Sequence, residues 1–128
     1  MEQDNTQTIT PKLPNELVSS VVAGIQDKKG KGIAILDMTG MHDTVCDYMV
    51  IAQGQNPNQL RAMEDSVWDK VFEETREKPV YIHFGGGEWI GIDYGDVIVH
   101  LFLPETRQYY KIEQLWEDAP RQIVPDQD

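Results

Sequence analysis

The sequence predicts an α/β protein in which a single layered mixed sheet is flanked by helices. Two segments repeat apolar residues with helical spacing, short β-rich runs lie between them, and turn residues separate the two kinds of segment. The 128 residues are enough for one domain with one hydrophobic core. We expect flexible tails at residues 1–12 and 120–128 around a domain that spans residues 13–119.

The first half of the chain predicts a helix followed by two strands. Aliphatic residues at helical spacing place the helix at residues 14–29, and Gly30 is typical of a helix C-terminus. Two apolar, β-branched runs then predict strands at residues 32–38 and 46–53. Their continuous apolar character is typical of strands that are buried on both faces.

The second half begins with another helix. Asn56 and Pro57 predict its start, because Asn is a favoured N-cap and Pro a favoured first helical residue. It should end before Pro79, since the residue that precedes a proline is displaced from the α region. A third strand at residues 79–84 follows, and the polar run at residues 105–119 predicts one or two short helices.

The segment EWIGIDYGDVIVHLF, residues 88–102, predicts a β-hairpin. A two-residue turn at Tyr94 and Gly95 would place Asp93 opposite Asp96, with the glycine supplying a positive φ. Strand alternation then sorts the side chains onto two faces, one of which is wholly aliphatic. The other face carries Trp89, Gly91, Asp93, Asp96, Ile98, His100 and Phe102.

This second face has two interpretations. Large aromatic side chains beside His and Asp are typical of a protein-binding surface, in which aromatic anchors supply most of the binding energy. Alternatively, a helix covers the face and the aspartates only cap the turn. The pattern alone leaves both interpretations open.

The charge restricts the class of partner. Twenty-two acidic residues and eleven basic residues give a net charge of −11, which opposes binding to nucleic acid and to anionic membranes. The same charge favours encounter with a basic protein. The sequence has no apolar run of membrane-spanning length, no signal-peptide pattern and one cysteine, so we expect a cytoplasmic protein.

Catalytic chemistry has little support in the sequence. Asp93 and Asp96 could bind Mg²⁺, but aspartates around a tight turn more often bond to backbone N–H groups. The three histidines lie on separate elements, and Cys46 begins an apolar strand. We therefore expect no metal, no cofactor and no enzymatic activity.

Three segments carry a family resemblance: DYMVIAQG at residues 47–54, the hairpin at residues 88–102 and RQYYKIEQLWEDA at residues 107–119. In these segments the chain resembles the ribosomal silencing factor family (RsfS, iojap-like). The resemblance implies a factor that docks on the large ribosomal subunit through its ribosomal protein fourteen and blocks joining of the small subunit. It also implies a nucleotidyltransferase-like fold without catalytic residues. Consistently, Gly54 is followed by Gln55 rather than Ser, and no predicted strand carries an Asp-x-Asp pair.

Strand alternation, together with this resemblance, gives a set of candidate docking residues. They are Trp89, Asp93, Tyr94, Asp96, His100 and Phe102, with Asp47 and Glu105 on neighbouring elements. Three alternatives stay open: a residual Mg-dependent nucleotidyltransferase or phosphohydrolase that uses the hairpin aspartates, a large-subunit assembly factor, and a homodimer that forms through the same apolar face.

Overall fold

The structure, a computed structural model, describes residues 12–127, so the predicted tail at residues 1–12 lies almost entirely outside the described residues. The described helices are α1 (Glu16–Asp27), α2 (Pro57–Thr75), α3 (Pro104–Tyr110) and α4 (Ile112–Leu115). The described strands are β1 (Lys31–Asp37), β2 (Tyr48–Gln53), β3 (Tyr81–Phe84), β4 (Trp89–Asp93), β5 (Val97–Phe102) and β6 (Arg121–Ile123).

The strands form one mixed sheet in the order β3-β4-β5-β2-β1-β6. The central pair β2 and β5 is parallel, and the other neighbouring pairs are antiparallel. The predicted α/β class, a mixed sheet flanked by helices, is therefore confirmed. The relation to nucleotidyltransferases stays a prediction.

Helix α2 begins at the predicted residue, and α1 begins two residues later than predicted, at Glu16. The Asn15 side chain accepts a hydrogen bond from the Val18 N–H at 2.8 Å and caps α1. Asn56 accepts from the Gln59 N–H at 2.8 Å and caps α2, with Pro57 as the first helical residue. These caps satisfy backbone donors that would otherwise lack partners at the helix ends.

The main core lies between the two long helices and one face of the sheet. The helices approach each other closely at Gly24, where a Cβ atom would lie 2.8 Å from the Val67 Cα. A smaller cluster lies on the other face of the sheet, around Leu36, Ile51 and Phe102. The α3–α4 segment contributes to this second cluster, so the two faces of the sheet are covered by different parts of the chain.

The hairpin turn lies one residue later than predicted. The Tyr94 N–H donates to the Val97 carbonyl at 2.9 Å, so the two turn residues are Gly95 and Asp96. Gly95, with φ +90°, occupies the first turn position, where glycine is favoured in type II′ turns. Asp93 consequently pairs with Ile98 and not with Asp96. Moving the turn by one residue shifts each pairing partner by two residues, from Asp96 to Ile98 in the case of Asp93. Because this shift is even, the predicted sorting onto two faces is preserved.

The expectation that residues 120–128 form a tail outside the domain is wrong. Strand β6 pairs with β1, and the Val124 N–H donates to the Ile33 carbonyl at 3.0 Å. The Val124 side chain is buried in the main core, and the Asp126 carboxylate accepts from the Gly32 N–H at 2.8 Å. The physical reason is that β1 would otherwise be an unpaired sheet edge.

Candidate protein-docking surface

Three neighbouring strands present their side chains on the sheet face opposite the long helices. In the observed register Tyr81 pairs with Asp93 and His83 pairs with Gly91, so β3 adds two side chains to the predicted set. We call this surface the open face. It consists of Tyr81, His83, Trp89, Gly91, Asp93, Ile98 and His100.

Within the described residues, α1 and α2 both pack on the other side of the sheet. On the side of the open face, Ile112, Trp116 and Met41 cover β1, β2 and the end of β5. Tyr81 and His83 remain exposed, and Trp89 and His100 are half-buried. The α3–α4 segment thus covers only the Phe102 end of the predicted face, and the alternative in which a helix covers the whole face does not describe the structure.

Trp89 is the centre of an aromatic cluster at one end of the open face. Its ring centroid lies 5.0 Å from that of His83, 5.1 Å from Tyr110, 5.5 Å from Phe102 and 5.7 Å from His100. Phe102 is 1% exposed and lies beside Trp89 as its partner on the neighbouring strand. The buried ring thus packs against Trp89, while Trp89 itself keeps part of its surface accessible.

His100 is neutral in this environment. Burial, with a smaller contribution from the charge of His83, lowers the pKa of His100 to about 4. Its Nδ1 accepts a hydrogen bond from the Trp89 Nε1–H at 3.0 Å. The bond satisfies the indole donor and fixes the plane of the tryptophan ring.

A shallow apolar depression lies next to Trp89, with a volume of about 290 Å³. Its lining residues are Tyr81, His83, Trp89, Gly91, Ile92, Asp93, Ile98 and His100. Gly91 has no side chain to fill the floor between β3 and β5. The depression is large enough to accept one side chain of a partner.

Three aspartates lie near the hairpin turn, and one of them, Asp93, lines the depression. The Asp93 Oδ1 accepts from the Gly95 N–H at 2.7 Å, so this carboxylate also shapes the turn. The Asp96 carbonyl accepts from the N–H groups of Asp47 at 2.7 Å and Tyr48 at 3.1 Å, which brings the backbones of Asp47 and Asp96 together. Asp47 and Asp96 are exposed, and Asp96 lines a cleft on the helix side together with Glu74 and Glu77. Of the three carboxylates, that of Asp93 borders the apolar depression.

Three predicted residues do not belong to this surface. Phe102 is one of them, because it is buried at 1% exposure. Tyr94 is 7% exposed and lies in the main core on the helix side, because it continues the alternation of Ile90 and Ile92. Glu105 is exposed in the first turn of α3, which follows the opposite end of β5 from the hairpin. The predicted docking role of Tyr94 is therefore incompatible with its position.

Sequence reasoning missed Tyr81, His83 and Tyr110. The first two follow from alternation in the third strand, once its register against β4 is known. Tyr110 comes from α3, and its contact with Trp89 joins residues 21 positions apart. The one sequence signal for this contact was the Tyr-Tyr pair in the segment at residues 107–119, which carries the family resemblance.

Among residues 12–127 there is no group of three or more His, Cys, Asp or Glu side chains that could hold a metal ion. Cys46 is buried, and burial, with the charges of Asp47 and Asp93, raises the pKa of its thiol. No helix in the described part of the chain is long and apolar enough to cross a membrane.

Comparison with known proteins decides the family. Residues 11–128 match the family described as ribosomal silencing factor during starvation, RsfS. The chain belongs to this family. The resemblance in the three sequence segments is thereby confirmed.

Individual relatives agree with this assignment. The ribosomal silencing factor RsfS of Bacillus subtilis is 34% identical over 104 residues, which cover 81% of this chain and 87% of that protein. A crystal structure of a Chromobacterium violaceum protein is 35% identical, with a TM-score of 0.72, and the match covers 79% of this chain and 83% of that one. A mouse protein named mitochondrial assembly of ribosomal large subunit protein 1 is 36% identical over 75 residues, 55% of this chain and 32% of its own length.

Proposed function

We propose that this protein binds the large ribosomal subunit through that subunit's ribosomal protein fourteen and blocks joining of the small subunit. The observation that carries the proposal is the open face, in which an apolar depression lies between Trp89 at one end and Asp93 at the other. In this proposal the protein acts by binding in the cytoplasm and turns over no substrate.

The chemistry of the surface fits a basic protein partner. An apolar side chain would enter the depression beside Trp89, while a Lys or Arg would pair with Asp93 or Asp96. A net charge of −11 would steer the protein towards a basic surface and away from exposed RNA phosphates. Binding should therefore weaken as salt is added, because these charges are exposed or partly exposed.

Steric occlusion needs no conformational change. A folded domain of 128 residues has a radius of gyration of about 14 Å. A body of that size, bound where two ribosomal subunits meet, would hold them apart. The open face lies opposite the long helices, so α1 and α2 would project away from the bound partner.

The first test is co-sedimentation with isolated large and small subunits across a salt series, with subunit joining measured in the same samples. We expect binding to large subunits only, weaker binding at high salt and fewer joined ribosomes. Trp89→Ala should weaken binding at least tenfold. Phe84→Ala is the matched control, because Phe84 is an exposed aromatic on the helix side of the neighbouring strand.

Two outcomes would overturn the proposal. If the protein stays in the supernatant with large subunits at low salt, it does not bind them. If Trp89→Ala binds as tightly as the wild type, the open face is not the docking surface.

A second candidate function is assembly of the large subunit, which the name of the mouse relative favours. Such a factor would use the same open face but would bind precursor particles more tightly than finished subunits. Competition between purified precursors and mature large subunits for a limiting amount of this protein separates the two functions. Preference for mature subunits supports silencing, and preference for precursors supports assembly.

A further inference from the structure

The aromatic surface does not end at the edge of the sheet. Tyr110, the last residue of α3, is 50% exposed, and its ring centroid lies 5.1 Å from Trp89 and 6.4 Å from Phe102. One part of the ring thus packs on the aromatic cluster while the remainder faces solvent. Such half-packed tyrosines are enriched in protein interfaces, because they contribute a large apolar area and lose little conformational entropy on binding.

The position of Tyr110 depends on a short and intrinsically weak segment. Helices α3 and α4 have seven and four residues, and neither has a side-chain N-cap. They meet at Lys111, whose φ of +50° lies in the left-handed region. Helices this short are not stable without tertiary contacts. Contacts between these helices and the rest of the domain must therefore fix the turn that carries Tyr110.

Arg107 supplies those contacts. Its guanidinium forms a two-pronged pair with the Glu113 carboxylate, at 2.9 Å from Nε and 2.8 Å from Nη2. Its Nη1 donates to the Gly32 carbonyl at 2.7 Å and to the Gln53 Oε1 at 3.1 Å. One side chain thus ties α3 to α4 and ties both helices to β1 and β2.

The Arg107–Glu113 pair is well shielded from solvent. The two side chains are 16% and 23% exposed. The hydrogen bonds from Arg107 lower the pKa of Glu113, so the carboxylate stays ionised and the pair intact at neutral pH. Planar two-pronged pairing also fixes orientation, which a lysine at the same position would not do.

We propose that Tyr110 is part of the surface that docks on the basic large-subunit protein and that Arg107 is the positioning residue that holds Tyr110 against Trp89. This inference rests on the proposed function and extends it from the sheet to the α3–α4 turn. Arg107 does not touch the partner and acts only through Tyr110.

A double-mutant cycle tests both statements, with large-subunit affinity as the readout, well below the melting temperature of every variant. Tyr110→Ala should weaken binding about tenfold, and Arg107→Gln should weaken it by a similar factor. The double variant should bind no more than about twofold more weakly than Tyr110→Ala, because Arg107 has nothing left to position. Glu113→Gln breaks the pair but leaves Arg107 its other two contacts. It should weaken binding when Tyr110 is present and should have little further effect on affinity in the Tyr110→Ala variant.

Two controls match these substitutions. Phe84→Ala removes an aromatic side chain of nearly equal exposure, 51%, from the other side of the sheet. Arg121→Gln removes the same charge as Arg107→Gln, and its side chain makes one hydrogen bond, to the Glu113 carbonyl at 3.1 Å. Both variants should bind within about twofold of the wild type.

The outcomes separate this inference from the proposed function. If Trp89→Ala weakens binding and Tyr110→Ala does not, the docking surface ends at the sheet and the inference is wrong while the function stands. If Arg107→Gln lowers affinity by the same factor with and without Tyr110, its role is general stability and not positioning. If Trp89→Ala itself binds normally, the docking surface as a whole is refuted.

Discussion

The Trp89 Nε1–H donates to the Nδ1 of His100 at 3.0 Å, between the neighbouring strands β4 and β5. The bond requires an unprotonated Nδ1, so the orientation of the main aromatic anchor depends on the charge state of a histidine. Burial lowers the pKa of His100 from 6.5 to about 4, and the bond is therefore intact at neutral pH.

The first prediction is that acid destabilises the fold through His100. The unfolded chain binds this proton near pH 6.5 and the folded chain only near pH 4, so the unfolded state binds more protons between these values. The contribution of His100 to stability is complete above about pH 6.5 and is lost as the pH falls towards 4. We expect a loss of about 2 kcal/mol from the free energy of unfolding between pH 7 and pH 5. Urea unfolding at the two pH values measures it.

His100→Gln is the control for this prediction, because glutamine keeps a polar side chain and has no proton to bind in this range. The variant should lose about 2 kcal/mol less than the wild type between pH 7 and pH 5. An equal loss in both proteins would show that other groups cause the acid sensitivity.

The second prediction separates the charge of Asp93 from its structural role. Asp93→Asn keeps an oxygen that can accept the Gly95 N–H, so the turn and the melting temperature should be unchanged. Binding to large subunits at low salt should weaken between about threefold and tenfold, and its salt dependence should decrease. Asp69→Asn, at an exposed position of α2, makes the same change in net charge on the other side of the sheet. If both variants weaken binding equally, only the overall charge matters.

The sequence predicted the faces of the hairpin better than its turn. Period-two alternation places Trp89 and His100 on one face in every register that differs by an even number of residues. The error in the position of the turn therefore left the predicted faces correct. The turn itself was ambiguous, since Gly95 can supply the positive φ at either central position. The contact of Tyr110 with Trp89 and the pairing of β6 with β1 depend on how distant segments meet, and no local pattern encodes that.

The third prediction concerns Tyr94, whose hydroxyl is buried and has no hydrogen-bond partner among residues 12–127. Burial, and then the charges of Glu64 and Glu77, raises the pKa of Tyr94, so the group stays neutral. Tyr94→Phe removes an unsatisfied polar atom and should raise the free energy of unfolding by about 1 kcal/mol. Large-subunit affinity should not change, because Tyr94 lies on the helix side. Weaker binding by this variant would mean that Tyr94 reaches the partner after all.

The fourth prediction concerns the depression, whose floor is Gly91. A Cβ at this position would lie 3.6 Å from the His83 Cβ and 3.9 Å from both the His100 Nδ1 and the Trp89 Nε1, which are ordinary contacts. Gly91→Ala should therefore fold and gain about 0.5 kcal/mol, since alanine loses less backbone entropy than glycine.

The same methyl group would occupy part of the space that we assign to a partner side chain, so Gly91→Ala should weaken large-subunit binding about tenfold despite the gain in stability. Urea unfolding and co-sedimentation measure the two effects on one sample. Gly40→Ala, in an exposed loop where a Cβ meets nothing within 4 Å, is the control and should leave binding unchanged. If Gly91→Ala is stable and binds like the wild type, the partner covers Trp89 without entering the depression, and the aromatic anchor rather than the cavity determines affinity.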